Sequence, residues 1–341
     1  RAFPGAAAAV GNREAVLLNA FSGSTAATPP AAAISPATLF DLASLTKVMA
    51  TTLVTLRLFD RGRLDLFYPL SRYMEVPADK AGITLFQILS HTAGFAAHFL
   101  LQASHADPEH SLQTILQSPL AAKPGSQVIY SCIGYILLGK LLEKLCEEPL
   151  DQLTQRWVLD PLRMDRTGFC PRKSLDGQVA GSEADDEWFA ATEWDPDKKI
   201  WLRGVVHDEN ARFLGGVSGN AGLFAPLEDC CSIAAALLNQ PIHFLPRPLY
   251  EAMMVNQTAG KGDARGLGLA VWDGAEDWLA GPLLGPGACG HTGFTGTSLY
   301  LSPSRGYYFI LLTNRVHYGR NLPVWPRYRA MFHEAALSDL A

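Results

Sequence analysis

Hydrophobic and polar positions change their period three times along the chain. Near the N-terminus, AAAAVGNREAVLLNAF alternates small and apolar side chains around a polar break, which predicts two antiparallel strands joined at Gly11-Asn12. From Leu42 to Asp60 the run LASLTKVMATTLVTLRLFD is apolar nearly all round, so a helix buried inside the molecule is expected, closed by Gly62. Further helical patterns follow between about Thr84 and Gln240, at TLFQILSH, SLQTILQ, CIGYILLGKLLEKL and CCSIAAALLNQ, separated by loops rich in Pro, Gly, Asp and Trp. Beyond about Arg265 the strand period returns in GLGLAVWD, HTGFTGTSLYLS and YYFILLTN, and an amphipathic helix is expected from about Pro326 to Leu337.

Strands at both ends of one chain avoid unpaired edges by sharing a sheet. The predicted class is therefore α/β (α+β): an antiparallel sheet of N- and C-terminal strands flanked by helices, with an α-rich lobe inserted. Residues 1–60 and 241–341 would form the sheet domain and 61–240 the mainly helical lobe, with the active site in the cleft between them. No repeat or low-complexity linker is present.

Composition narrows the function. A chain of 341 residues can bury about three quarters of its unfolded surface. With 28 Lys+Arg against 33 Asp+Glu the net charge is −5, and no basic cluster tracks phosphates, so nucleic acid is not an expected partner. No apolar run reaches the roughly 20 residues that would cross a bilayer. The six cysteines, Cys132, Cys146, Cys170, Cys230, Cys231 and Cys289, lack the spacing of a disulfide scaffold or zinc site and are expected to be free thiols. No secretory leader is legible, but the chain opens at Arg1, which leaves room for a removed segment; the compartment stays open between cytoplasm and periplasm.

Three segments carry chemistry. Ser44-Leu45-Thr46-Lys47 lies at the opening of the buried helix, where residues three apart share a face with Cβ atoms roughly 5–6 Å apart. A lysine shut away from water loses part of its preference for charge and can accept a serine proton, while the helix N-terminus favours an oxyanion. In isolation, S-x-x-K arises by chance about once in a chain of this size; here its lysine sits among Val, Met, Ala, Leu and Phe, where a charge is costly without a task. Tyr130-Ser131-Cys132 follows KPGSQVI and precedes an apolar helix, a junction from which a phenol can relay a proton. Gly290-His291-Thr292-Gly293-Phe294 opens a late strand, and its glycines would let a substrate lie close to the backbone.

Other groupings point elsewhere. His98, His105, Asp107 and His110 share a polar stretch whose spacing fits no ligand set, so it is read as a solvated loop, with neither metal nor organic cofactor expected. His333-Glu334 lacks the second histidine of H-E-x-x-H, and no G-x-S-x-G elbow occurs. Asp185, Asp186, Glu187 and Glu193, with Trp188 and Trp194, form an acidic loop that could shape a pocket mouth or be solvated.

In this order and setting, the three segments resemble the penicillin-recognising serine hydrolases: class C-type β-lactamases, DD-peptidases and esterases of the β-lactamase/transpeptidase-like fold. FPGAAAAVG, FDLASLTKVMATT, ITLFQILSHTAGF, KPGSQVIYSCIGYILLGKLLE and GHTGFTGTSLYLSP are similar to family signatures, and HDENARFLGGVSGNAGLF resembles a segment of a subgroup with cell-wall-active enzymes. The resemblance runs from about Phe3 to Arg315. It implies Ser44 as acylated nucleophile, with Lys47 and Tyr130 sharing base and acid duty. It also implies an oxyanion hole from the backbone N–H groups of Ser44 and Phe294. His291 stands where many relatives have lysine; it would hydrogen-bond toward Tyr130 and bind a substrate carboxylate, with pH dependence near neutrality. Thr292 and Gly293 would line the acyl side.

Cys132 departs from the Asn usual at its position. A thiol neither donates nor accepts well, so β-lactam turnover is disfavoured and an ester, or a specialised amide, is the expected substrate. The alternatives are a β-lactamase or DD-peptidase acting on β-lactams or peptidoglycan peptides and, in another class, a non-catalytic penicillin-binding sensor or binding module. Small-molecule esters or amides, or peptidoglycan-derived compounds, are the expected partners.

Overall fold

A computed structural model describes residues 2–104, 107–169, 185–275, 278, 280–321 and 325–340. Its strands, in chain order, are β1 (Gly5–Asn12), β2 (Val16–Gly23), β3 (Phe40–Asp41), β4 (Gly168–Phe169), β5 (Trp194–Asp195), β6 (Ile200–Trp201), β7 (Leu223–Ala225), β8 (Ala270–Val271), β9 (Cys289–Thr292), β10 (Ser298–Ser302) and β11 (Tyr307–Thr313). The main sheet runs β2-β1-β11-β10-β9-β8 with every neighbour antiparallel, so the N-terminal strands pair with the C-terminal ones as expected. Two smaller sheets, β3-β7-β4 and β5-β6, were not expected; their strands are two or three residues long, too short to show a period.

Alternation along the central strands explains why they read as almost continuously apolar. Tyr308, Ile310 and Leu312 of β11, with Leu299 and Leu301 of β10, enter the principal core, whereas Phe309 and Tyr300 face a second core that includes Phe332 and Leu337 of the C-terminal helix. The sheet is thus covered on both faces. The Leu227–Asn239 helix packs against β1, β10 and β11, although the expected boundary at residue 240 would have assigned it to the helical lobe. Each fully buried aliphatic or aromatic side chain in these layers contributes about 1.5–3 kcal/mol.

Local signals were mostly sound, with informative shifts. The first turn spans residues 13–15 instead of Gly11-Asn12. Asn12 caps it by accepting the N–H groups of Glu14 (2.8 Å) and Ala15 (2.9 Å) at Oδ1. Gly11 stays in the strand because a Cβ there would lie 2.2 Å from the Tyr308 ring. Expected helices occur at Leu85–Leu89, Ser111–Gln117, Cys132–Cys146 and Leu227–Asn239; those at Leu150–Thr154, Glu209–Phe213 and Arg247–Met254 were not foreseen. The C-terminal helix runs Trp325–Leu340. GLGLAVWD contributes only the two-residue β8, and HTGFTGTSLYLS divides into β9 and β10, whose turn is closed by Gly293 N–H donating to the Thr297 carbonyl (2.7 Å).

The buried helix begins later than Leu42. Leu42 N–H donates to Leu223 O (2.9 Å), which ties the preceding residues to the β3-β7 sheet. Lys47–Thr52 then winds as a π-helix, closing i→i+5 bonds, and Leu53–Asp60 continues as an α-helix. Gly62, at φ +66°, terminates it and donates to Phe59 O (2.9 Å). Cys230, Cys231 and Cys289 are buried free thiols, and Cys132 and Cys146 are free and partly exposed; Cys170 lies outside the described residues. Among the described residues no helix is long and apolar enough to cross a membrane.

Candidate active site

Ser44 stands where the β3 strand turns into the buried helix, half-buried among fully buried neighbours. Ala43 before it adopts φ +46°, a left-handed conformation unusual for a residue with a Cβ. The buried Asp41 carboxylate supports this bend, accepting the N–H groups of Ala43 (2.8 Å) and His207 (2.7 Å). Burial shifts the Asp41 carboxyl upward, against the pull of these bonds.

Lys47 is fully buried, and its Nζ contacts Ser44 Oγ at 2.9 Å, Cys132 Sγ at 3.4 Å and the Asn220 carbonyl at 3.1 Å. It also lies 5.0 Å from the Tyr130 ring centroid. Burial alone would push the amine toward neutrality, but Cys132 and Tyr130 outweigh it and raise the Lys47 pKa. This corrects the expectation that desolvation would leave the amine uncharged: its surroundings include groups able to carry negative charge.

Tyr130 and Cys132 arrive on the loop before the Cys132–Cys146 helix. Ser131 caps that helix, its Oγ accepting Gly134 N–H (3.0 Å) and donating to Ala96 O (2.7 Å), while Cys132 N–H donates to Ala97 O (2.8 Å). Behind them, His91 accepts Ser131 N–H at Nδ1 (3.1 Å), so its proton resides on Nε2, a buried atom with no partner among the described residues. Burial opposes ionisation of the Cys132 thiol, yet Lys47, and after it His98, bring its pKa below the ordinary value. Cys132 in turn raises His98.

The third segment, β9 and the turn after it, brings His291 beside Tyr130, with ring centroids 5.7 Å apart. His291 donates from Nδ1 to Thr292 O (2.8 Å), and its Nε2 has no partner among the described residues, so the expected hydrogen bond to Tyr130 is not made. Burial, reinforced by Lys47 and Arg265, holds His291 well below the ordinary histidine range, which removes the expected pH dependence near neutrality. Thr292 points to the opposite, more open side. The glycines allow close packing of the strand and the turn after it. A Cβ on Gly293 would lie 2.0 Å from Thr297 Oγ1 and 2.5 Å from Leu42 O, and one on Gly290 would lie 2.3 Å from Leu299 O. Gly293 thereby seats the Phe294 turn against the residues leading to Ser44. Arg315 grips Phe294, donating to its carbonyl (2.7 Å) with the guanidinium 5.0 Å from its ring, and His207 stacks on the ring at 5.7 Å. Among the described residues neither Ser44 N–H nor Phe294 N–H donates a hydrogen bond.

Several contributors left no legible signal. The Asn220 carbonyl is a backbone group, and Gly219 beside it fits because a Cβ would lie 2.0 Å from Tyr135 O. His98 belongs to the stretch read as a solvated loop; His110 there pairs with Asp107 (2.8 Å), and His105 lies outside the described residues. Among the described residues no cluster could hold a metal ion. Glu193 pairs with His207 (3.0 Å) and Arg320 (2.7 Å), so it braces the Phe294 side instead of shaping a pocket mouth, and His207 with Arg320 holds it down to about pKa 2. Trp188 and Trp194 are exposed, and the side chains of Asp185 and Asp186 lie outside the described residues.

A sheet of terminal strands over a buried helix, with these segments meeting at the helix mouth, defines a hydrolase of the β-lactamase and penicillin-binding-protein class. The chain belongs to the Beta-lactamase family, whose model matches residues 1–332. It is 29% identical over 307 residues to an N-acetylmuramyl-L-alanine amidase of Bacillus subtilis (strain 168), covering 82% of this chain and 68% of that protein. It is 31% identical over 329 residues to a putative D-alanyl-D-alanine carboxypeptidase of Salmonella paratyphi B, covering 87% and 74%. The fold matches that of EstCE1, a hydrolase with promiscuous acyltransferase activity, at TM-score 0.74 and 24% identity over 96% of this chain and 93% of that one.

Proposed function

We propose that this protein is a serine hydrolase that cleaves an ester or amide bond through an acyl-enzyme on Ser44. The observation that carries the reading is the 2.9 Å contact between Lys47 Nζ and Ser44 Oγ at a helix mouth, which pairs a weak nucleophile with a base. Lys47 must be neutral to act, and its surroundings favour its charge. Cys132, 3.4 Å away, offers the outlet: Lys47 passes a proton to the thiolate and takes the one from Ser44 as the hydroxyl attacks the carbonyl. The unengaged N–H groups of Ser44 and Phe294 receive the developing oxyanion. Tyr130, whose ring centroid lies 5.0 Å from Lys47 Nζ, protonates the leaving group, and water assisted by the same pair releases the acid. His291 and Thr292 border the substrate.

The thiol at position 132 supports a simple ester, whereas the names of the curated relatives support an amide in cell-wall material. A panel of chromogenic short-chain ester, chromogenic cephalosporin and muropeptide ranks the substrates. Fast cephalosporin turnover would contradict the role given to Cys132. Intact-mass analysis with a fluorophosphonate should show one adduct in the wild type and none in Ser44→Ala; no adduct under any condition would leave a non-catalytic binding module as the better reading.

A further inference from the structure

The Lys47 amine and the Cys132 thiol meet at 3.4 Å, beside a nucleophile that small reagents can reach. We propose that Lys47 and Cys132 are a site of oxidative modification, at which a hydroperoxide drives formation of an S–N bond between Sγ and Nζ and so shuts off Ser44 reversibly. Its effect on activity rests on the hydrolase reading above; the bond itself does not.

Thiolate character and access decide which cysteines oxidise. Cys231 and Cys289 are buried and pushed up to about pKa 12, Cys230 is buried and raised well above the ordinary value, and burial also raises Cys146. Cys132 is the described cysteine that is shifted down, with Lys47 and His98 overcoming burial, and it is partly exposed. A disulfide with the other partly exposed cysteine is out of reach, because Cys146 lies fourteen residues along the same helix, about 21 Å away. The amine is the neighbour able to resolve an oxidised sulfur.

The steps balance. The Cys132 thiolate attacks a peroxide oxygen; an S–O bond forms, the O–O bond breaks, and the departing hydroxide takes up a proton, giving sulfenic acid and water. Neutral Lys47 then attacks sulfur; the S–N bond forms, the S–O bond breaks, and the hydroxide leaves as water with a proton from nitrogen. In sum, a thiol, an amine and hydrogen peroxide yield a sulfenamide and two waters, sulfur losing the two electrons that peroxide gains. A dithiol returns both side chains to their starting state.

The test exposes the full chain to hydrogen peroxide, then maps its peptides by mass and measures fluorophosphonate labelling of Ser44. The expected result is a Lys47–Cys132 linked peptide pair lacking two hydrogens, reversed by dithiothreitol. Ser44 labelling should slow on the order of 100-fold or more, as when a general base is removed, and recover with reduction. Cys132→Ser, which lacks the thiolate outlet, should label more slowly before treatment, and peroxide should cause no further loss; should that variant not fold or label too slowly to read, the wild-type peptides decide alone. Cys132 carried to sulfinic acid without linkage, a linked pair holding an added oxygen, or lost labelling with Cys132 intact would each overturn the proposal. If Ser44 fails to label before treatment, the hydrolase reading falls, and the linked peptides still report on the bond.

Discussion

A buried amine gains chemical meaning from what surrounds it, and at Lys47 burial and neighbouring charge pull in opposite directions. Burial disfavours the ammonium, while Cys132 and Tyr130 favour it and win. The reciprocal effect falls on Cys132, whose thiol would rise on burial but is drawn down chiefly by Lys47. Replacing Lys47 by Met therefore has two separable consequences. Removing the base should lower kcat by about 10²–10⁴-fold. Independently, the Cys132 thiol should titrate above the wild-type value, so alkylation of the Cys132 peptide by iodoacetamide at neutral pH should slow; an unchanged rate would mean that the two side chains do not share a proton balance. Ser44, Lys47 and Tyr130, the residues proposed for catalysis, stand out in the sequence because S-x-x-K sets two of them one helical turn apart and the family resemblance adds the third. The Asn220 carbonyl, the bend at Ala43 and the supporting Asp41 do not, since they depend on segments distant in sequence.

The elements that hold the site were legible to different depths. Long runs with a clear period, such as ILLGKLLEKL and YYFILLT, placed the Cys132–Cys146 helix and β11 almost where they lie, because burial of one face or both imposes the pattern directly. The two-residue strands β3 and β8 carry no period, and the start of the buried helix was misplaced because the pairing of β3 with β7 competes for the same residues. Gly293 has a packing role that its place in the sequence does not reveal. It lets the turn after β9 lie against Leu42 O, which couples the Phe294 N–H to the strand leading into Ser44. Gly293→Ala should therefore destabilise the fold by about 1–3 kcal/mol through overpacking. It should also slow acylation of the surviving folded protein, since losing one oxyanion donor costs about 10²–10³ in rate. Thermal melts and fluorophosphonate labelling of the same sample separate the effects; unchanged labelling would show that the turn does not position a donor.

Across the whole molecule, buried histidines resist protonation. His91 and His291 beside Tyr130 are held well below the ordinary value of 6.5 chiefly by burial. His333, under the C-terminal helix, is lowered by burial to about 4 and donates from Nδ1 to Ala280 O (2.7 Å). The unfolded chain takes up these protons as pH drops below 6.5, whereas the native state does not until far lower. Stability from this source is thus complete above pH 6.5 and lost on the way down toward pH 4. Three such sites can together impose a slope of about 4 kcal/mol per pH unit. Asp41, shifted upward from the ordinary carboxylate value, acts in the opposite sense within this window and offsets part of it. Guanidinium unfolding at closely spaced pH values across that window should show stability falling with acidity. In His333→Gln, which keeps a donor for Ala280 O but cannot titrate, the slope should lessen by about 1.4 kcal/mol per pH unit. Parallel slopes in the two proteins would mean that His333 already exchanges its proton in the native state, and that the second core beneath the C-terminal helix is open to water.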